Sequence, residues 1–241
     1  MFYRADVFVH GDSKPFGPNW TKLQQVAGSK VTYIYRPLPE TVFGNSVHDP
    51  SHISDVWRIE ILLKHGGIYC DWDLIWLKPV DSLLDFDAVA SFDVMDWSPY
   101  PNVLNLGAFL AKPGAQYLQY LRKALIFYKE KGDWPLSYFY NACLVPYKVY
   151  ECHPNTLKIE QTLQVICNRG RCHPTWLSGY KDEMAKSGFE NAKLLFEHAY
   201  SVHYTYPDIK ELESMDNLIQ NQHSSFMTEI ATKILKISKI L

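Results

Sequence analysis

No apolar run in this chain approaches the roughly 20 residues that a membrane-spanning helix needs. No basic start followed by an apolar stretch marks a secretory signal. The first residues lead directly into Ala5-Asp6-Val7-Phe8-Val9-His10, a strand pattern, so the chain reads as beginning inside a fold. Positive charge is not in surplus: 24 Lys and Arg stand against 26 Asp and Glu, with no basic stripe, which excludes the electrostatic footprint of a nucleic-acid binder. No CxxC metal pattern, internal repeat or low-complexity tract is present.

What is present is an ordinary globular balance. With 47% hydrophobic and 21% charged residues, 241 residues suffice for one domain over 1–241 with a sizeable core; a helix over 216–241 reads as its appendage. Aromatics reach 15%, which suits sugar and nucleobase stacking and equally suits an aromatic core. The five cysteines are an odd number. Cys167 and Cys172 could close a short loop across Gly170, and Cys143 and Cys152 a second, leaving Cys70 free in a buried strand. Together with the acceptor sequence Asn19-Trp20-Thr21, this leans toward an oxidising lumen; reduced buried thiols and a chance sequon are the alternative.

Hydrophobic periodicity sets out the elements. Residues 5–10 and 31–36 read as strands, with a short helix near 20–25 between them and a long irregular connection over 37–50. A helix capped by Ser51 or Ser54 runs to His65, with Val56, Ile59 and Leu63 on one apolar stripe and Gly66 at its C-terminal stop. Residues 68–70 form a short strand that 74–77 continues along the sheet. Residues 87–92, 106–111 and 199–204 are further strands; 114–130 and 135–143 are helices. Strands alternating with helices give an α/β class.

The most informative segment is Asp71-Trp72-Asp73, which follows Gly66-Gly67-Ile68-Tyr69-Cys70. Residues i and i+2 of a strand face one side, so both carboxylates can reach one hard divalent cation at a strand end, where α/β folds bind ligands. A solvated strand end with two turn aspartates is the bland alternative. The frame weighs against it, because helix, glycine stop, strand and carboxylates are specified together. Asp55 and Arg58 share a face of the preceding helix, either as a surface ion pair or as part of the same site.

This frame resembles the glycosyltransferases with the DXD sugar-binding region, among them the yeast α-1,6-mannosyltransferases, the inositolphosphoceramide mannosyltransferases and the animal α-1,4-galactosyltransferases; the glucosylating toxins of clostridia share it. Their pattern, roughly S-D-x-x-R-x-x-x-L-x-x-x-G-G-x-Y-x-D-x-D, is matched at Ser54, Asp55, Arg58, Leu62, Gly66, Gly67, Tyr69, Asp71 and Asp73. Weaker likeness continues through residues 77–81, 108–114 and 201–204. The resemblance implies a GT-A-type fold, a Rossmann-like mixed sheet flanked by helices. The usual opening strand of the type Ile-Pro-Lys-Ile-Ile-His has no counterpart here, nor has a Gly-Pro pair, in whose place Val145-Pro146 stands.

The resemblance also implies roles. Asp55 and Arg58 would contact the donor sugar and its phosphate; Asp73 would bind a metal directly, Mn²⁺ or Mg²⁺, with Asp71 at the ribose, the sugar or a metal-bound water. Tyr69 would lie against the nucleotide, Ser54 and Asn105 would line the donor site, and His203 would stand near metal and diphosphate. For Tyr69 and His203 a purely structural place is the alternative. Asp93 and Asp96 could face the acceptor. The implied activity is retaining transfer of a hexose from UDP- or GDP-hexose to a hydroxyl of a glycan or glycolipid, in the Golgi or another secretory lumen. No carboxylate offers itself as a nucleophile, so the leaving phosphate would act as base. The alternatives are a truncated or inactive relative that binds without turnover, and a metal-dependent phosphohydrolase, for which more metal ligands would be needed.

Overall fold

Helix α2 (Pro50–His65) is the element on which the site is built. Pro50 at its first turn supplies a preset φ, and Asp49 caps it, accepting a hydrogen bond from the Ser51 N–H at 2.8 Å. The cap is therefore Asp49 rather than a serine: Ser51 and Ser54 already lie inside the helix, and the Ser54 hydroxyl turns back onto the Ser51 carbonyl at 2.6 Å. Ile53, Val56, Ile59 and Leu62 are buried, each worth about 1.5–3 kcal/mol of transfer free energy. The helix stops at Gly66 and Gly67, which take φ of +66° and +116°, conformations open chiefly to glycine. A Cβ on Gly66 would also lie 2.6 Å from the Pro113 ring.

The computed structural model describes residues 5–93, 103–129, 134–166, 198–203, 210–222, 224 and 226–237. The α/β expectation is met. Strands β1 (Val7–Gly11) and β2 (Val31–Tyr35) pair in parallel, joined across helix α1 (Pro18–Ala27). The connection over 37–50 is less irregular than its composition suggests, since β3 (Thr41–Val42) and β4 (Asn45–Ser46) form a small hairpin turning at Phe43 and Gly44. Beyond α2 come β5 (Gly67–Cys70), β6 (Leu74–Trp76), β7 (Ala88–Asp93) and β8 (Val103–Ala111). They are followed by helices α3 (Gln116–Ala124), α4 (Trp134–Tyr138) and α5 (Val145–Cys152), then strands β9 (Lys158–Ile159), β10 (Val165–Ile166) and β11 (Ser201–His203).

Two sheets frame the site. One has the order β5-β8-β7-β9; the other has the order β10-β11-β6. Residues 74–77 thus do not continue the sheet of β5. The chain turns at Trp72 and Asp73, and β6 pairs antiparallel with β11 in the second sheet. Among the described residues β5 is an edge strand paired with β8 alone, and Ile68 and Cys70 are exposed, so the expectation of a buried strand there fails.

β8 is buried along its whole length, yet it does not keep one face throughout. Leu104 and Leu106 join the large core formed with α2 and α3, but so do Phe109 and Ala111, while Ala108 and Leu110 join the smaller core with Trp76 and Leu163. Strand alternation has changed phase. The cause is a register shift against β7: Ser91 pairs with Asn105 and Val89 with Leu110, so residues 106–109 stand opposite Ala90 alone. Such bulges re-aim side chains beside functional sites.

Further differences have local causes. The helix expected over 114–130 is α3 followed by a 3-10 turn (Leu125–Phe127), and that over 135–143 is α4 followed by a π segment (Phe139–Leu144). The C-terminal helix is two, Met215–Gln220 and Phe226–Ile237, the first capped by Ser214. Cys143 and Cys152 are both free: the former is packed against Val103, Phe139 and Ala142, the latter exposed at the end of α5. Cys167, Cys172 and Asp96 lie outside the described residues. Asn19 stands in the first turn of α1, where its Nδ2 donates to the Glu213 carbonyl at 2.8 Å, so the nitrogen a glycan would use is engaged. No helix among the described residues is long and apolar enough to cross a membrane.

Candidate active site

α2, the β5–β6 turn and the bulge of β8 converge on a cavity of about 240 Å³. Ser54, Asp55 and Arg58 line it from α2, Asp71, Trp72 and Asp73 from the turn, and Asn105 and Leu106 from β8. Tyr138 and Cys143 close another side. Trp72 is 80% exposed between the two aspartates.

Arg58 is not a surface ion-pair residue. It is 6% exposed, and its guanidinium organises the floor of the cavity. Nη1 donates to the Leu106 carbonyl at 2.7 Å, inside the bulge, and Nη2 donates to Ser54 Oγ at 3.1 Å. Nη2 also lies 3.2 Å from Asp55 Oδ1 and 3.3 Å from Asp71 Oδ1. The Tyr69 ring stacks beneath, 4.2 Å from ring centre to Cζ, and the Tyr69 hydroxyl donates to Asp71 Oδ1 at 2.6 Å. Burial works against the arginine's charge, but Tyr69, Asp71 and Asp55 outweigh it and hold the group firmly cationic. Burial likewise pushes the Tyr69 hydroxyl well up, keeping it a donor.

Asp55 has a second partner that the sequence did not single out. His52, one turn earlier and fully buried, places Nδ1 3.4 Å from Asp55 Oδ2. The His52 ring packs edge-on to Tyr128 and stacks with Tyr138. A histidine three residues before an aspartate on a helix was the available signal.

Asp71, Asp73 and His203 form the one group among the described residues able to hold a metal ion, with one ligand atom from each inside a mutual span of 4.8 Å. Asp71 reaches it because its own N–H donates to the Gly107 carbonyl at 2.8 Å, anchoring the turn to the bulge. His203 reaches it because Gly107 has no side chain: a Cβ there would lie 2.5 Å from His203 Cε1. His203 Nε2 is 3.0 Å from Asp73 Oδ1. Burial disfavours the charged ring, but the Asp73 hydrogen bond and charge prevail and raise its pKa; burial similarly opposes the Asp73 carboxylate, and His203 prevails and lowers it.

The structure therefore brings together Ser54, Asp55, Arg58, Tyr69, Asp71, Asp73, Asn105 and His203. The Asn105 side chain is largely spent inside the protein: Oδ1 accepts from the Gly107 N–H at 2.7 Å, and Nδ2 donates to Asp93 Oδ2 at 3.2 Å. Asp93 is itself buried behind Asn105 at the end of β7, not in the cavity wall. Tyr138 and Cys143 line the cavity without having been foreseen, because α4 and the π segment meet it only through long-range packing; Ser51 lines it one turn before Ser54 on α2.

Residues 12–90 match the family described as the glycosyltransferase sugar-binding region containing DXD motif. Over 186 residues the chain is 25% identical to glucan organizing enzyme 1 of Cryptococcus neoformans var. grubii, a match covering 75% of this chain and 46% of that protein. The chain thus spans about half the length of this curated relative. Among solved structures it is similar to the apo-form glycosyltransferase GlyE of Streptococcus pneumoniae TIGR4, with TM-score 0.47 and 11% identity over 97% of this chain and 56% of that one. It is also similar to a glycosyltransferase involved in glycosylation of the major capsid of PBCV-1, with TM-score 0.35 and 16% identity over 76% and 82%. The matched region holds the helix, the glycine stop and both carboxylates of the cavity, and it is there that the chain is similar to the glycosyltransferases with the DXD sugar-binding region.

Proposed function

We propose that the chain transfers a hexose, with retention, from a nucleotide-sugar donor to an acceptor hydroxyl on a glycan or glycolipid, and that it depends on a divalent cation, Mn²⁺ before Mg²⁺. The observation that carries this reading is the convergence of Asp71, Asp73 and His203 beside the buried Asp55–Arg58 pair. Two carboxylates and an imidazole fit a cation that accepts both oxygen and nitrogen ligands, which favours Mn²⁺ over the stricter oxygen preference of Mg²⁺. A bound cation supplies neutralisation of the charge that develops on a leaving diphosphate.

The chain's own residues do the rest. Asp73 and His203 are the readier ligands, because Asp71 Oδ1 already accepts from Tyr69 and Arg58. Arg58 fixes Asp55 and Asp71 in place and offsets part of the negative charge a phosphate would meet there. Asp55, held between Arg58 and His52, is oriented to accept hydrogen bonds from sugar hydroxyls. Trp72 offers an apolar face at the mouth. The Golgi or another secretory lumen is the compartment this reading assigns.

Calorimetric binding of UDP-galactose, UDP-glucose, UDP-N-acetylglucosamine and GDP-mannose, each with and without Mn²⁺, tests it. Metal-dependent binding of one donor is expected. A folded sample that binds none of them with or without the metal overturns it.

A further inference from the structure

Both oxygens of Asp55 are held, and by different residues. Arg58 Nη2 lies 3.2 Å from Oδ1, and His52 Nδ1 lies 3.4 Å from Oδ2. A carboxylate tethered at one oxygen can still turn about its Cβ–Cγ bond, since torsions of that kind have broad wells. A second tether at the other oxygen fixes the plane. A carboxylate is an acceptor, so His52 Nδ1 is the donor of this pair. The opposite nitrogen, Nε2, stands 3.4 Å from the hydroxyl of Ser137, a buried residue of α4. Between these partners the ring is fully buried, edge-on to Tyr128 and stacked with Tyr138, with ring centres 5.3 and 6.2 Å away. Packing alone would be served by a phenyl ring of similar shape. Polar partners at both ring nitrogens are more than packing requires.

We propose that His52 is a positioning residue of this site: with Arg58 at one oxygen and His52 at the other, the Asp55 carboxylate is locked in the plane that meets sugar hydroxyls. Through Ser137 the same ring ties that plane to α4, whose Tyr138 lines the cavity beside Asp55. A carboxylate offers about four acceptor sites, and the two tethers leave the others for a ligand. Misplacing such a group by a small rotation is costly, because binding and transfer both depend on a fixed approach. The consequence for sugar binding rests on the reading of Asp55 as a sugar contact; the fixed plane does not.

Crystal structures of the wild-type chain, His52→Phe and His52→Asn read the carboxylate directly, and calorimetry in the presence of Mn²⁺ reads its use. Phenylalanine keeps the ring packing and removes the N–H; asparagine gives up the packing and returns an N–H near the place of Nδ1. The probes are UDP-galactose, UDP-glucose, UDP-N-acetylglucosamine and GDP-mannose, beside UDP and GDP, which lack the sugar. In His52→Phe the Asp55 carboxylate should turn out of its wild-type plane. The nucleotide sugar that wild type binds should bind about 10-fold more weakly or worse, the scale of one lost hydrogen bond to a charged group, while its nucleoside diphosphate binds as before. His52→Asn should restore both plane and affinity. A carboxylate that keeps its plane in His52→Phe overturns the proposal, as does an unchanged affinity for the nucleotide sugar. An equal loss of nucleotide sugar and nucleoside diphosphate also overturns it, since packing alone would give that. Should His52→Phe not fold, His52→Asn decides, and loss of the plane there counts against the proposal. If the plane turns in His52→Phe and returns in His52→Asn while wild type binds no nucleotide sugar, the role of His52 stands and the donor reading of the site fails.

Discussion

His203 Nε2 and Asp73 Oδ1 meet at 3.0 Å across 130 residues of chain. The contact links the last strand of one sheet to the turn that leaves the other, and it gives stability a pH dependence. The His203 pKa is raised on folding, so its contribution is complete below about pH 6.5 and is lost as pH rises through the raised value. The Asp73 pKa is lowered, so its contribution is present above about pH 3.9 and is lost as pH falls through the depressed value. Urea midpoints of wild type and His203→Gln, followed from about pH 5 to about pH 9, should converge as pH rises. A gap that stays constant contradicts the pair.

Arg58→Ala leaves Asp55 and Asp71 facing each other with no cation and frees the Leu106 carbonyl. Breaking a buried pair of this kind costs about 3–5 kcal/mol. Chemical denaturation should show a loss in that range, and a change within experimental error would mean that the guanidinium is replaceable by water.

Asp73→Asn keeps the shape of the side chain and removes its charge. Mn²⁺-dependent transfer should fall by orders of magnitude while the circular dichroism spectrum is unaltered. Full activity in this variant would remove Asp73 from the proposed metal site.

Gly107→Ala places a methyl where the His203 ring now stands, 2.5 Å from Cε1. Ring and strand cannot both keep their positions, so His203 should move. Overpacking of this sort costs about 1–3 kcal/mol, readable as a lowered thermal midpoint together with an altered His203 NMR signal. An unperturbed His203 signal would show that the bulge has slack.

Local rules carried much of the candidate site. α2, the glycine stop at Gly66 and Gly67, and the carboxylates of Asp71 and Asp73 lie within 24 residues of sequence whose spacing fixes their order and faces. What escaped depends on partners far along the chain. The phase change of β8 needs β7 to reveal it, for residues 103–111 alone read as one apolar strand. His52 offers only its three-residue spacing to Asp55 as a signal; its burial against Tyr128 and Tyr138 depends on partners far along the chain. The expected disulfide between Cys143 and Cys152 failed for the same reason: proximity in sequence says nothing about which way a π segment and a helix end turn their thiols.

The extra residues of β8 opposite Ala90 carry a consequence for how this strand can change over time. A substitution at 106 or 109 alters one contact, and neighbouring side chains can accommodate it. Losing one residue between 105 and 110 would instead turn half of the strand over, exchanging the faces of Phe109 and Leu110 and sending Asn105 or Ala111 toward the wrong layer. The length of this stretch is therefore under stricter constraint than its composition, and relatives that keep the cavity should vary in lettering there while agreeing in count.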